Sequence, residues 1–268
     1  MKPNLPVAYL LTVLIALLAI AASTGGLFLH GLYRDNLFVT SAWKGNDLVT
    51  LFVVVPLQLV ALFLAVRGSL RAQLVWLGTL DYMLYNYAFY LFAATFNWFF
   101  LLYVALLGLS IFALIFGLVN LDIDAIGKRV RKGIPVRWIA GYMLLVAAGL
   151  TLIYTAQSIA FIFTGEVPPI VALSEHPTNI VFALDLTLLV PFLALGAFWL
   201  LQRKVWGYVL AGILTVKGPA YTLVLTAGSL WAANAGVPEA GAETPLWLGL
   251  TVIGLLASVL FYTNVEAR

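Results

Sequence analysis

The chain is predicted to be an all-α, polytopic membrane protein, on the strength of its composition, the spacing of its apolar runs and the distribution of its basic residues. Of 268 residues, 63% are hydrophobic and 9% charged, with a mean hydropathy of +1.06. A soluble domain carries roughly 25% charged residues to keep its surface wet. The apolar residues gather in runs of about 20, each enough for a helix across roughly 30 Å of hydrocarbon. Lipid offers peptide groups no hydrogen-bond partner, so such runs must be helical. No length is left for a soluble catalytic domain or a nucleic-acid-binding module. The absence of cysteine removes thiolate metal sites and thiol chemistry.

Eight spans are predicted, at about 5–29, 49–66, 74–96, 98–119, 138–164, 180–202, 208–232 and 246–263. The first follows Lys2. Its Ala19-Ile20-Ala21 also fits a secretory cleavage site, but the apolar run is longer than a signal core, so it is taken as a retained helix. The second contains Pro56 and stops at Arg67-Gly68-Ser69, with Arg71 just beyond. The third stops at Asn97, and the fourth runs into a basic stretch from Lys128 to Arg137. The fifth carries Thr151, Tyr154, Thr155 and Ser158 on one face, as ordinary interhelical contacts, and ends before Pro168-Pro169 and Pro177. Pro191 interrupts the sixth, which ends at Arg203-Lys204. Gly218-Pro219 interrupts the seventh. A Gly/Pro/Ala-rich segment, 233–245, leads to the eighth, where Gly254 and Ser258 have the spacing of a close helix contact.

An even number of spans returns both termini to one side. With that side cytoplasmic, Lys2, Arg67, Arg71, Lys128, Arg129, Arg131, Lys132, Arg137, Arg203, Lys204 and Arg268 lie inside, and only Arg34 and Lys44 outside. Such a bias sets orientation and predicts a multi-pass protein of the plasma membrane, or the inner membrane of a bacterium. The acids Asp35, Asp47, Glu166, Glu175, Glu239 and Glu243 are placed in outer loops. The basic stretch is expected mainly to fix topology, with some attraction for anionic headgroups.

The chain 1–268 is treated as one transmembrane domain with a possible internal repeat, 1–120 and 138–268, joined by the basic loop 121–137. Tyr9 falls on Tyr142, Pro56 on Pro191, Phe63 on Phe198, Gly78 on Gly212, Leu80 on Leu214 and Tyr87 on Tyr221, at offsets of 133 to 135 residues. Past segment 233–245, Trp98 falls on Trp247 and Phe112 on Phe261. Two parallel four-helix halves would be related by a pseudo-two-fold axis along the membrane normal. The third span would then match the seventh, with Asp81 opposite Thr215 and Met83 opposite Lys217.

The candidate site centres on Lys217, about ten residues into the seventh span and so near the bilayer centre. A charge there costs roughly 2.5–3.5 kcal/mol and needs company. Asp81 is the preferred partner by depth, and Asp185 the alternative. Pro219 cannot donate to the carbonyl of Thr215, so that carbonyl, with Thr215, Thr222 and Thr226 at helical spacing, is a candidate cavity lining. In the third span Tyr82, Tyr85, Phe89, Phe92 and Phe96 form one aromatic stripe beginning beside Asp81, and buried Asn86 needs partners as well. Tyr221 completes the candidate set, as the seventh-span counterpart of Tyr87.

No metal or catalytic site is predicted. His30 and His176 fall in outer loops, no serine has a histidine at membrane depth, and no nucleotide-binding motif is present. No motif calls for a cofactor, the bilayer is the expected partner, and nucleic acid is not one. The preferred reading is a small-molecule or ion transporter, or a channel-like protein, with an intramembrane site built from Lys217 and Asp81 or Asp185. The first alternative is a non-catalytic structural or assembly subunit, its polar residues holding partner membrane subunits. The second is a binder or enzyme for a hydrophobic ligand such as a quinone, carotenoid or lipid. A lysine on the seventh span with an acid on the third looks like an opsin in position alone. An eighth span, Ile213 four residues before the lysine and the Gly-Pro after it depart from that pattern.

Overall fold

The computed structural model describes residues 5–266. Lys2 and Arg268, used above for orientation, lie outside the described residues. The described residues form ten helices: α1 (Leu5–Phe28), α2 (Leu37–Val66), α3 (Leu70–Ala93), α4 (Phe100–Val119), α5 (Ile123–Arg129), α6 (Val136–Thr164), α7 (Pro169–Ser174), α8 (Ile180–Leu201), α9 (Val205–Asn234) and α10 (Thr244–Tyr262). Seven of these, α1, α2, α4, α6, α8, α9 and α10, are long and apolar enough to cross a membrane. At 24 residues α3 matches them in length, but Asp81, Asn86 and four tyrosines make it the most polar of the long helices.

Contacts between connections order the bundle. Arg71, in the first turn of α3, donates to the carbonyl of Val265 past α10. Arg203, after α8, donates to Lys132 O at 3.0 Å, and Glu266 N donates to Arg129 O at 3.0 Å. These connections therefore share one end of the molecule, the basic end. At the opposite end Asp35 accepts from Thr95 Oγ1 at 2.8 Å and lies 3.6 Å from His176 Nε2, joining three further connections. The eight long helices alternate in direction between the two ends.

Helices α1 to α4 close into a ring in which α1 and α3 each pack against α2 and α4. A second ring runs α6, α8, α9, α10 and back to α6. The rings meet where α9 packs against α2 and α3, leaving α9 and α3 at the centre. The most apolar stretch of α9 is 67% buried, whereas the other six apolar helices are 22–44% buried. Small residues allow this approach. A Cβ on Gly45 of α2 would run into the backbone of Gly228 on α9, and one on Gly78 of α3 would sit 2.7 Å from Val216 Cβ.

Helices α2 and α8 share an irregularity. Each contains a π-helical turn, Thr50–Val54 in α2 and Asp185–Leu189 in α8, where Val55 N donates to Thr50 O and Val190 N to Asp185 O. A proline follows one residue later in both, Pro56 and Pro191. Its ring crowds the carbonyl four residues back and its nitrogen cannot donate, so the preceding turn widens.

Two sequence expectations are corrected. Helix α2 begins at Leu37, not near 49, capped by the Asn36 side chain, which accepts from Val39 N at 3.0 Å. Lys44 and Asp47 therefore belong to a helix rather than an outer loop. Their polarity is absorbed by partners: Lys44 Nζ donates to Leu27 O at 2.9 Å, and Asp47 accepts from two tyrosines. The aromatic stripe of α3 also breaks. Tyr82 and Tyr85 are buried, but Phe92 is 61% and Phe96 72% exposed, facing away from the bundle near the end of the helix.

Candidate functional site

Lys217 is the thirteenth residue of α9, about 18 Å from its basic end at 1.5 Å per residue. It is 4% exposed, and its Nζ lies 3.4 Å from Asp81 Oδ2 on α3. The ion pair thus forms with Asp81 and not with Asp185. The face of Tyr85, also on α3, lies under the same ammonium, with Nζ 4.3 Å from the ring centre. An acid and an aromatic face one turn apart on α3 therefore share the one cation, an arrangement that compensates its lost hydration.

Asp185 stands at the start of the π turn in α8. Its Oδ1 accepts from Tyr85 Oη at 2.6 Å and its Oδ2 from Tyr154 Oη on α6 at 3.0 Å. The Tyr154 ring stacks on Phe182 with centres 4.0 Å apart and planes 19° apart, which fixes the hydroxyl. Tyr221, one turn beyond Lys217, meets Tyr85 edge-on at 4.8 Å. Asp81, Lys217, Tyr85, Asp185 and Tyr154 form one connected polar chain across α3, α9, α8 and α6.

A cavity of about 400 Å³ reaches this chain. Lys217, Asp185, Tyr154 and Tyr221 line its deep part, and His176, Asn179 and Glu243 line it at the loop end. The walls are largely apolar, with Leu150 and Leu250 beside the charged groups and Val146, Leu193 and Leu214 nearer the basic end. The volume suits a small organic molecule. The cavity follows from the packing of α6, whose buried residues, Val136 to Ala147, all lie toward the basic end. Its other half stands away from α10 and leaves the gap.

Of the remaining polar candidates, Thr222 alone lines the cavity. Thr215 is fully buried and turned from the cavity, its hydroxyl donating to Ala211 O at 2.6 Å. The Thr215 carbonyl that Pro219 leaves free accepts from Ser258 Oγ of α10, so it lines nothing. Thr222 does line the cavity, whereas Thr226 Oγ1 returns to Thr222 O at 2.9 Å. Asn86 is buried on α3, does not line the cavity, and has no partner for either amide atom.

Sequence reasoning passed over Tyr154, read as an ordinary interhelical contact; Thr151, Thr155 and Ser158 beside it do bond only to their own helix. No signal along the chain separates a tyrosine serving a carboxylate 31 residues away from its neighbours. Gln157, one turn on, also lines the cavity, with a buried side-chain oxygen that has no partner. Among the described residues no group of three metal-ligating side chains occurs. Compared with protein-family models, curated proteins and solved structures, the chain matches none.

Proposed function

We propose that the protein is a transporter of a small solute, crossing the plasma membrane eight times with its basic end in the cytoplasm, and that the deep part of the cavity is its binding site. The observation that carries this reading is the cavity itself: it reaches from the loop end to Lys217, whose ammonium pairs with Asp81, and continues about a turn further, to Leu214 and Leu193. Toward the basic end Phe261 of α10 and Leu74 of α3 close on Gly212 of α9. That is the form expected of an alternating-access protein open to one side. Intramembrane charge is costly, and its usual use is to bind or relay charge.

Two parallel halves support the same reading. The π turns begin 135 residues apart, at Thr50 and Asp185, and the prolines after them keep that spacing. In this reading α3 also crosses the membrane, its polarity sheltered at the centre, and the two bent helices let one ring rock against the other. Within the site Lys217 and Asp185 would meet opposite charges of the solute, Tyr221 and Tyr154 would orient it, and Asp81 would hold Lys217 when the site is empty.

The test is charge displacement on solid-supported membranes carrying the purified protein. The membranes are challenged in turn with amino acids, short carboxylates and primary amines. A current with at least one class that disappears in Lys217→Met supports the site. A current unchanged in that variant removes it. The apolar cavity walls favour a second reading, a stably held hydrophobic ligand such as a quinone, carotenoid or lipid. Mass spectrometry of an organic extract finding one such molecule per chain, with no current from any solute, would favour it.

A further inference from the structure

The ring of α1 to α4 encloses a second carboxylate, away from the cavity. Asp47 is 2% exposed and accepts from the hydroxyls of Tyr33 and Tyr90, the latter at 3.0 Å. Among the described residues no basic nitrogen lies within 4.0 Å of it, since the two ion pairs belong to His176–Asp35 and Lys217–Asp81. Lys44, one turn earlier, is occupied by Leu27 O.

Three more oxygens belong to the same cluster. Ser23 Oγ, Tyr87 Oη and Tyr103 Oη are buried without a hydrogen bond of good geometry; Ser23 lies beside both Asp47 and Tyr87, and Tyr103 beside Tyr33 and Asn97. The rings of Tyr87, Tyr90 and Tyr103 pack together with centres 5.1–6.4 Å apart. Gly26 brings α1 up to the cluster, where a Cβ would overlap both Asp47 Oδ2 and the Tyr33 hydroxyl.

A buried carboxylate whose nearest ammonium, Lys44, acts on it only from a distance and is bonded to Leu27 O is unfavourable in so apolar a setting. A proton would cancel the charge but supply one donor only, enough for one of these three oxygens. A small cation would cancel it and use those same oxygens. Carboxylate and hydroxyl ligands are hard donors that suit an alkali or alkaline-earth ion, and a single negative charge balances a single positive one. We propose that Asp47, with Ser23, Tyr87 and Tyr103, binds a monovalent alkali cation, taken as sodium, in the first ring. The site goes beyond the solute cavity and does not depend on what that cavity carries.

Thermal unfolding of the purified full chain in detergent tests it without any transport assay, with sodium chloride replaced stepwise by choline chloride at constant ionic strength. The expected result is a saturable rise of a few degrees in the unfolding midpoint with sodium, because a ligand that binds only the folded state stabilises it. The rise should vanish in Asp47→Asn and persist in Asp185→Asn. Should Asp47→Asn fail to fold, Tyr103→Phe removes one oxygen and is expected to raise the half-saturating sodium concentration several-fold. Identical wild-type midpoints in sodium and choline would overturn the proposal. So would a sodium effect that survives unchanged in Tyr103→Phe, or a midpoint that follows pH and ignores sodium.

Discussion

The hydroxyl of Tyr85 donates to Oδ1 of Asp185 at 2.6 Å across the junction between the two rings of helices. The same side chain supports the Lys217 ammonium with its ring. Removing the hydroxyl and removing the ring should therefore have separable effects. Tyr85→Phe is expected to destabilise the protein by about 2 kcal/mol, the worth of a buried hydrogen bond to a charged group. Tyr85→Leu should lose roughly 1–2 kcal/mol more, since the cation loses its aromatic face. Unfolding titrations in mixed micelles measure both, and equal losses in the two variants would refute a role for the ring.

Asp81→Asn should be costly in a different way, because it leaves Lys217 buried beside a neutral partner. A loss of about 3–5 kcal/mol is expected, with recovery of most of it in the double variant Asp81→Leu, Lys217→Met, where both charges are gone. The same titrations complete the double-mutant cycle. A double variant no more stable than Asp81→Asn would mean that the pair is not the unit the geometry describes.

Ser258 compensates for a proline. Its hydroxyl fills the Thr215 carbonyl that Pro219 cannot reach. Ser258→Ala is expected to cost about 1–3 kcal/mol through an unsatisfied buried acceptor. Adding Pro219→Ala should return part of that, since residue 219 then has an N–H of its own to offer. Amide hydrogen exchange at residues 218–220, read alongside stability, reports whether the helical bond forms.

Gly218 and Gly254 make room between α9 and α10 for the Tyr142 hydroxyl, which would lie 2.6 Å and 2.7 Å from a Cβ at the two positions. Gly218→Ala is expected to lower stability by about 1–3 kcal/mol, the usual penalty of overpacking. Tyr142→Phe in the same chain should relieve it. If the pair is no better than Gly218→Ala alone, the clash lies elsewhere.

Much of this architecture is legible along the chain because the bilayer imposes a single length scale. Seven apolar runs stand out, and the Lys217–Asp81 pairing follows from depth alone. The misplaced start of α2 has a physical reason. Its first turns carry Ser41, Lys44, Asn46 and Asp47, which look like a loop until their partners on α1 and α3 are known. The phenols that bond Asp47 and Asp185 come from other helices, beyond the reach of any local pattern. The exposed Phe92 and Phe96 show the converse limit, because helical spacing cannot distinguish a face turned to protein from one turned to lipid.

A π turn takes up one residue more than an α turn, so every side chain beyond it is swung round the axis by about 100°. In α8 that extra residue lies between Asp185 and Leu193, which both reach the cavity, and in α2 it separates Thr50 from Gln58. Deleting a single residue from 50–54 or 185–189 would let the π turn close to an α turn and leave the turns beyond it facing the same neighbours, whereas a deletion in an α-helical turn would rotate them by about 100°. Single-residue deletions there should be better tolerated than deletions in the α-helical turns 57–64 or 193–200.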